Sequence, residues 1–186
     1  MNSALPIRDR LIAATLECLS RWGFGKTTLN DIIREAGISR PTFYKHFRNK
    51  EDVVHEALLE RADQYAAGVR QHVEQFSEAG ERVVEALVYV LRTMPEEPAL
   101  RMIDGSDYAL LVNDETMFDT ATHSLTMSIV DVVLADQNPS DNERAEIGEM
   151  MSRFLLSFLV LKGPEPRDET ALRDLFRRRL LPALGL

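Results

Sequence analysis

The chain has 186 residues, 45% of them hydrophobic and 28% charged, and its 30 Asp and Glu outweigh 22 Lys and Arg to give a formal net charge of −8. Those values suit one compact unit, or a small module fused to a larger one. The single cysteine, Cys18, excludes an intramolecular disulfide framework and a cysteine-built zinc site. No apolar run approaches the roughly 18 residues of a membrane span and no leader-like N-terminus is evident, so the chain reads as cytoplasmic with no membrane partner.

Helical signals run almost throughout, and no segment alternates with the period of a strand. Ser3 is a candidate cap for a first helix with Pro6 in its opening turn, running through Leu11, Ile12, Leu16 and Leu19 to Gly23. Thr28 with Asp31 three residues on resembles a capping box and opens a short helix to Ala36, which Gly37 ends. Ser39 caps the next helix, where Pro41 is tolerated because first-turn N–H groups lack intrahelical partners. Asn49 caps a long helix whose apolar stripe is Val54, Leu58, Tyr65, Val69, Val73 and Phe76. A further helix spans roughly 80–94 and stops at "MPEEP". Gly105 is expected to break residues 99–112 into short helical pieces, and the apolar segment that follows suits a helix buried on several sides. Ser140 and Glu143 form another capping box before the regular stripe Ile147, Met150, Met151, Phe154, Leu155, Phe158 and Leu159. The last helix carries Leu172, Leu175, Phe176 and Leu180, and has Arg177–Arg178–Arg179 near its end. The predicted fold class is all-α: an N-terminal helix-turn-helix domain of three helices over 1–49, and a larger helical domain over 50–186, joined by the helix from Lys50.

Charge divides the chain unevenly. Residues 1–50 hold nine Lys and Arg against four Asp and Glu, while 51–186 hold thirteen against twenty-six. Between Glu35 and Glu51 there is no carboxylate, whereas "SRPTFYKHFRNK" gathers Arg40, Lys45, His46, Arg48 and Lys50. Two short helices joined through Gly37 have helix-turn-helix proportions, in which the second helix enters the major groove. Its first residues are Ser39, Arg40, Pro41, Thr42 and Tyr44. Arg40 can donate a parallel pair of hydrogen bonds to guanine, Thr42 can bond or offer a methyl, and Pro41 can pack on a thymine methyl. Tyr44, Lys45, His46 and Lys50 suit phosphate oxygens.

The stretch "RDRLIAATLECLSRWGFGKTTLNDIIREAGISRPTFYKHFRNKEDVVHEAL" strongly resembles the DNA-binding domain of TetR-family transcriptional regulators, in order and in spacing. The resemblance covers about residues 8–60 and implies base-reading positions at Asn30, Arg40, Pro41 and Thr42. It implies phosphate contacts at Thr28, Tyr44, His46 and Lys50, and core positions at Phe43 and Phe47. Ile33, where the family usually has alanine, and Trp22, where it more often has a polar residue, depart from the pattern. The family's architecture implies a homodimer on a palindromic double-stranded DNA operator and a small-molecule effector, most often with a repressor's action.

The remaining chain resembles that family only in being helical. Met94, Met102, Tyr108, Phe118, His123 and Met127 are side chains of the type that line effector cavities, and equally of plain core. The nearby acids Glu96, Glu97, Asp104, Asp107, Asp114 and Glu115 either favour a cationic ligand or simply solvate loops. The late apolar stripe reads as core or as one side of a subunit interface. On the second reading, Met151, Phe154, Leu155, Phe158, Leu172, Leu175, Phe176 and Leu180 would meet a second copy as the family's last two helices do. Cys18 reads as a small buried hydrophobe. The histidines do not make a metal site, His123 with Asp119 being the nearest candidate, and no nucleophile or P-loop motif appears, so neither an enzyme nor a cofactor is expected. The competing reading is a helical dimeric interaction protein whose helix-turn-helix-like module docks another protein and binds no specific DNA.

Overall fold

A computed structural model of the chain describes residues 5–97, 120–161 and 163–186. All regular elements among these residues are helical. They fall into two compact units, one comprising residues to Ala62 with Glu97, the other Asp63–Glu96 and the residues from Thr120 onward.

The first unit contains α1 (Ile7–Trp22), α2 (Leu29–Ala36), α3 (Arg40–Phe43) and the opening turns of α4 (Lys50–Val73). Pro6 stands outside α1 as its flanking residue rather than inside its first turn, and Gly23 ends the helix with φ 75°. Leu11, Ile12, Ala14 and Cys18 of α1 meet Ile32, Ala36, Phe43, Phe47, Val53 and Ala57 in one core. Residue 50 opens α4, but the compact unit continues past the expected 49/50 boundary because Val53 and Ala57 belong to this core. Ile33 and Trp22 are accommodated differently. Ile33 packs half-buried against the core, while Trp22 keeps 38% of its surface exposed.

The second unit is built around α5 (Ala79–Thr93), which packs against α6 (Thr120–Val133), α7 (Asp141–Val160) and α8 (Glu169–Leu175). Phe76 lies beyond the end of α4 and does not extend its stripe. Val83, Val84, Ala86, Leu87, Val88 and Val90 of α5 are buried together with Val69 and Val73 of α4. Gly148 lets α7 approach α6, since a Cβ there would lie 3.3 Å from Val130 and 3.4 Å from the Met127 sulfur. The capping box of Ser140 with Glu143 opens α7, and Asp168 caps α8 through the Ala171 N–H at 2.8 Å. After α8 the chain widens to i→i+5 bonding over Phe176–Leu180, then closes as α9 (Leu181–Leu184).

Two charged residues of α5 are buried, which apolar periodicity gave no reason to expect. The Arg82 guanidinium donates to the carbonyls of Val133 at 2.7 Å, Ser77 at 2.7 Å and Phe76 at 3.1 Å, and pairs with Asp136. It thus satisfies carbonyls where α4 and α6 have ended. Glu85 receives a two-pronged hydrogen bond from Arg173, at 2.6 and 3.1 Å, and lies 3.5 Å from His72. His72 in turn stacks at 4.7 Å on Tyr89.

The Arg173 hydrogen bonds hold the Glu85 carboxyl below its ordinary value of 4.5, outweighing the opposing effect of burial. A depressed folded-state pKa means the pair's stabilisation is present above pH 4.5 and is lost as pH falls through the folded value. Glu85→Gln is expected to cost about 2 kcal/mol near neutrality. Urea titrations from pH 7 down to pH 3 should show the gap between wild type and variant closing below about pH 4.5.

Candidate nucleic-acid interface

Local chemistry fixes the helix-turn-helix before any ligand is considered. The Thr28 hydroxyl accepts from the Asp31 N–H while the Asp31 carboxylate accepts from the Thr28 N–H, at 3.2 and 3.1 Å. Gly37 adopts the left-handed conformation, φ 62° and ψ 41°, and its N–H and that of Ile38 reach back to carbonyls of Arg34 and Ile33. Arg10 of α1 completes the turn by donating to Ala36 O at 2.5 Å and Gly37 O at 3.2 Å, a cation on the negative end of α2. Its sequence separation of 26 residues hides that role from any local pattern.

The recognition segment follows. Ser39 caps α3, its hydroxyl 2.8 Å from that of Thr42. Only Arg40–Phe43 is regular helix; Tyr44, Lys45 and His46 continue it as hydrogen-bonded turn, and the Phe47 N–H donates back to Phe43 O at 3.0 Å. Phe43 has no exposed surface and Phe47 only 3%, as core positions require. Tyr44 stands edge-on to Phe43 at 5.4 Å, and Arg8 caps the Phe47 ring at 4.9 Å. Around these anchors Thr28, Asn30, Ser39, Arg40, Pro41, Tyr44, Lys45 and His46 are exposed and Thr42 is half-buried.

Arg40 is already engaged. Its Nη1 donates to Asn30 Oδ1 at 3.1 Å and its Nη2 to the Tyr44 hydroxyl at 3.4 Å. Lys50 is half-buried, its ammonium 4.0 Å above the Phe24 ring and within 3.3 and 3.4 Å of the Thr27 and Phe24 carbonyls. An ammonium has three donors, so one remains beyond these two carbonyls.

Two carboxylates near the margins, Asp31 and Asp52, are occupied. Asp31 is bound by Thr28 and Arg34, and the Thr28 hydrogen bonds hold it below its ordinary value, keeping it a satisfied anion. Asp52 accepts from the Arg48 N–H at 3.0 Å. Cys18 takes no part: it is sealed in the core, and burial pushes its thiol up to about 11. Among the described residues no cluster of potential metal ligands occurs, and no helix is long and apolar enough to cross a membrane.

Of the candidate cavity residues, Met94 and Met127 pack against the second core and His123 is exposed. Met102, Tyr108 and Phe118 lie outside the described residues, as do Asp104, Asp107, Asp114 and Glu115. The candidate interface residues divide. Met151, Phe176 and Leu180 are buried within the second core by their own chain. Phe154, Leu155, Phe158, Leu172 and Leu175 remain half-buried, beside Val160 and Leu161, which are 42% and 66% exposed.

Residues 11–57 match the family model described as bacterial regulatory proteins, tetR family. A probable acrEF/envCD operon repressor of Escherichia coli K12 is 30% identical over 106 residues, covering 54% of this chain and 47% of that protein, so the match spans about half of the relative's length. An HTH-type transcriptional regulator AlkX of Mycobacterium tuberculosis is 26% identical over 184 residues, covering 92% of this chain and 82% of its own. Among solved structures, a Thermus thermophilus FadR described as a TetR-family transcriptional repressor in complex with lauroyl-CoA superimposes with a TM-score of 0.68. It is 25% identical, with 96% of this chain and 95% of that one covered.

The left-handed turn yields a stability prediction. A Cβ at Gly37 would be strained by its φ of 62° and would sit 3.3 Å from the Arg10 guanidinium. Gly37→Ala should destabilise the first unit by about 1–2 kcal/mol. Gly37→Asn should lose less, because asparagine tolerates this conformation. Thermal unfolding of the three proteins, followed by circular dichroism, tests the ranking.

Proposed function

We propose that this chain is a transcriptional regulator of the TetR family that binds a two-fold symmetric operator as a homodimer and releases it when a small molecule binds. The carrying observation is the exposed, cationic recognition segment, free of carboxylates from residue 36 to residue 50 and anchored by buried Phe43 and Phe47. Arg40, Pro41 and Thr42 stand where the first residues of a recognition helix meet base edges. Thr28, Tyr44, Lys45, His46 and Lys50 fit the flanking phosphates.

The half-exposed apolar surface of α7 and α8 supports a dimer. Phe154, Leu155, Phe158, Leu172 and Leu175 are the residues a second copy would cover, and a two-fold axis there matches an operator of two half-sites. Repression is the favoured sign because the Escherichia coli and Thermus relatives are described as repressors. The lauroyl-CoA complex of the Thermus relative makes acyl-CoA thioesters the first effector class to test. Release then follows if the ligand-bound form, favoured by its own binding energy, separates the two recognition segments from the half-site spacing.

Selection from random duplexes, followed by fluorescence anisotropy at two salt concentrations, tests the reading. A symmetric motif bound in a salt-sensitive manner, and weakened by an acyl-CoA, is expected. Equal, weak binding to every duplex would instead favour a protein-docking module. Arg40→Ala should cost about 1–3 kcal/mol and relax discrimination at one base pair; a uniform loss over all sequences would make Arg40 a phosphate contact. Lys50→Ala should weaken all duplexes alike and lower the salt slope by about one. An unchanged slope would assign the ammonium solely to the carbonyls of residues 24 and 27.

A further inference from the structure

We infer that Asn30 and Tyr44 are positioning residues for Arg40, setting its guanidinium before DNA arrives, so that Asn30 contributes to sequence reading through Arg40 and not by touching a base. The inference rests on the DNA-binding reading and deepens it. Three observations carry it. The Asn30 carbonyl oxygen accepts from Arg40 Nη1 at 3.1 Å, the Tyr44 hydroxyl lies 3.4 Å from Nη2, and the Tyr44 ring lies 5.9 Å from the guanidinium carbon. Both partners are themselves fixed. Asn30 is the second residue of α2, its backbone inside the Thr28–Asp31 capping box, and Tyr44 is held edge-on against buried Phe43. The contacts also cross between the two helices of the motif, joining the start of α2 to the recognition segment.

The donor count permits both tasks together. A guanidinium has five N–H groups. Two serve Asn30 and Tyr44, leaving three, and the O6 and N7 of a guanine require two. An exposed arginine that lacked these partners would have to lose its rotamer freedom on binding, whereas this one is already ordered.

The test uses the full chain and the tightest duplex it selects from a random pool, together with three derivatives altered at the base pair where Arg40→Ala loses discrimination. That pair should contain guanine. Asn30→Ala should lower the preference for guanine there by about 3- to 10-fold, with salt slope and affinity for unrelated duplexes unchanged. In an Arg40→Ala background it should have no further effect. Tyr44→Phe should give a smaller loss of guanine preference at the same pair, in addition to the uniform weakening that follows from removing its phosphate contact. Asn30→Asp, which keeps the acceptor, should retain the guanine preference even if its charge weakens every complex. Unfolding midpoints within error of wild type would exclude a folding defect as the cause. Loss at a different base pair, or a loss that persists without Arg40, would overturn the inference and make Asn30 a base reader. A wild-type chain that selects no motif would overturn the DNA-binding reading itself, and this inference with it.

Discussion

Phe43, a fully buried ring in the core shared by α1, α2 and α4, is the residue on which the geometry of the helix-turn-helix surface depends. It is the last residue of a helix of only four residues, which could not hold its shape in water alone. Burial of Phe43 and Phe47 supplies the missing stability and fixes which side of the segment faces outward. Tyr44 on one side and Arg8 on the other brace the two rings, so the positions of exposed polar residues follow from two apolar ones. The polar capping at Thr28, Gly37, Ser39 and Asn49 is secondary to this, placing the ends of the elements that the core holds together.

The second unit solves a different problem. Its central helix is covered on so many sides that Arg82 and Glu85 are both taken out of water, an arrangement tolerated only when each charge is paired and its remaining hydrogen-bonding capacity is met. Arg82 meets that condition with backbone carbonyls, so it ties segments together without needing a matching side chain at each. Glu85 meets it with Arg173 and His72, which come from different parts of the chain. No side-chain polar atom among the described residues is left buried without a partner.

Much of the first unit was legible in the sequence because its determinants are local. Capping pairs three residues apart, a glycine that needs a left-handed turn, and a run without carboxylates all leave marks in adjacent letters. The resemblance to a known family added the assignment of Phe43 and Phe47 to the core. Contacts distant in sequence left no such mark. Arg10 on the end of α2, Arg40 on Asn30 and Arg82 on Val133 connect residues that periodicity treats as ordinary surface arginines. The stripe on α7 and the last helix was ambiguous for a related reason: repeat spacing identifies an apolar face but not what covers it. The fold divides that stripe, burying Met151, Phe176 and Leu180 in the chain's own core and leaving Phe158 and its neighbours half-covered.

Cys18 has a practical consequence that reaches beyond its place in the core. It is the chain's sole sulfhydryl, has no exposed surface, and with a pKa of about 11 holds almost no thiolate at neutral pH. The native fold is therefore chemically silent toward maleimides and iodoacetamides. A cysteine introduced at an exposed site becomes a unique attachment point for a fluorophore or spin label, with no need to disturb the packing around residue 18. Conversely, labelling of the unaltered protein reports that the first core has opened.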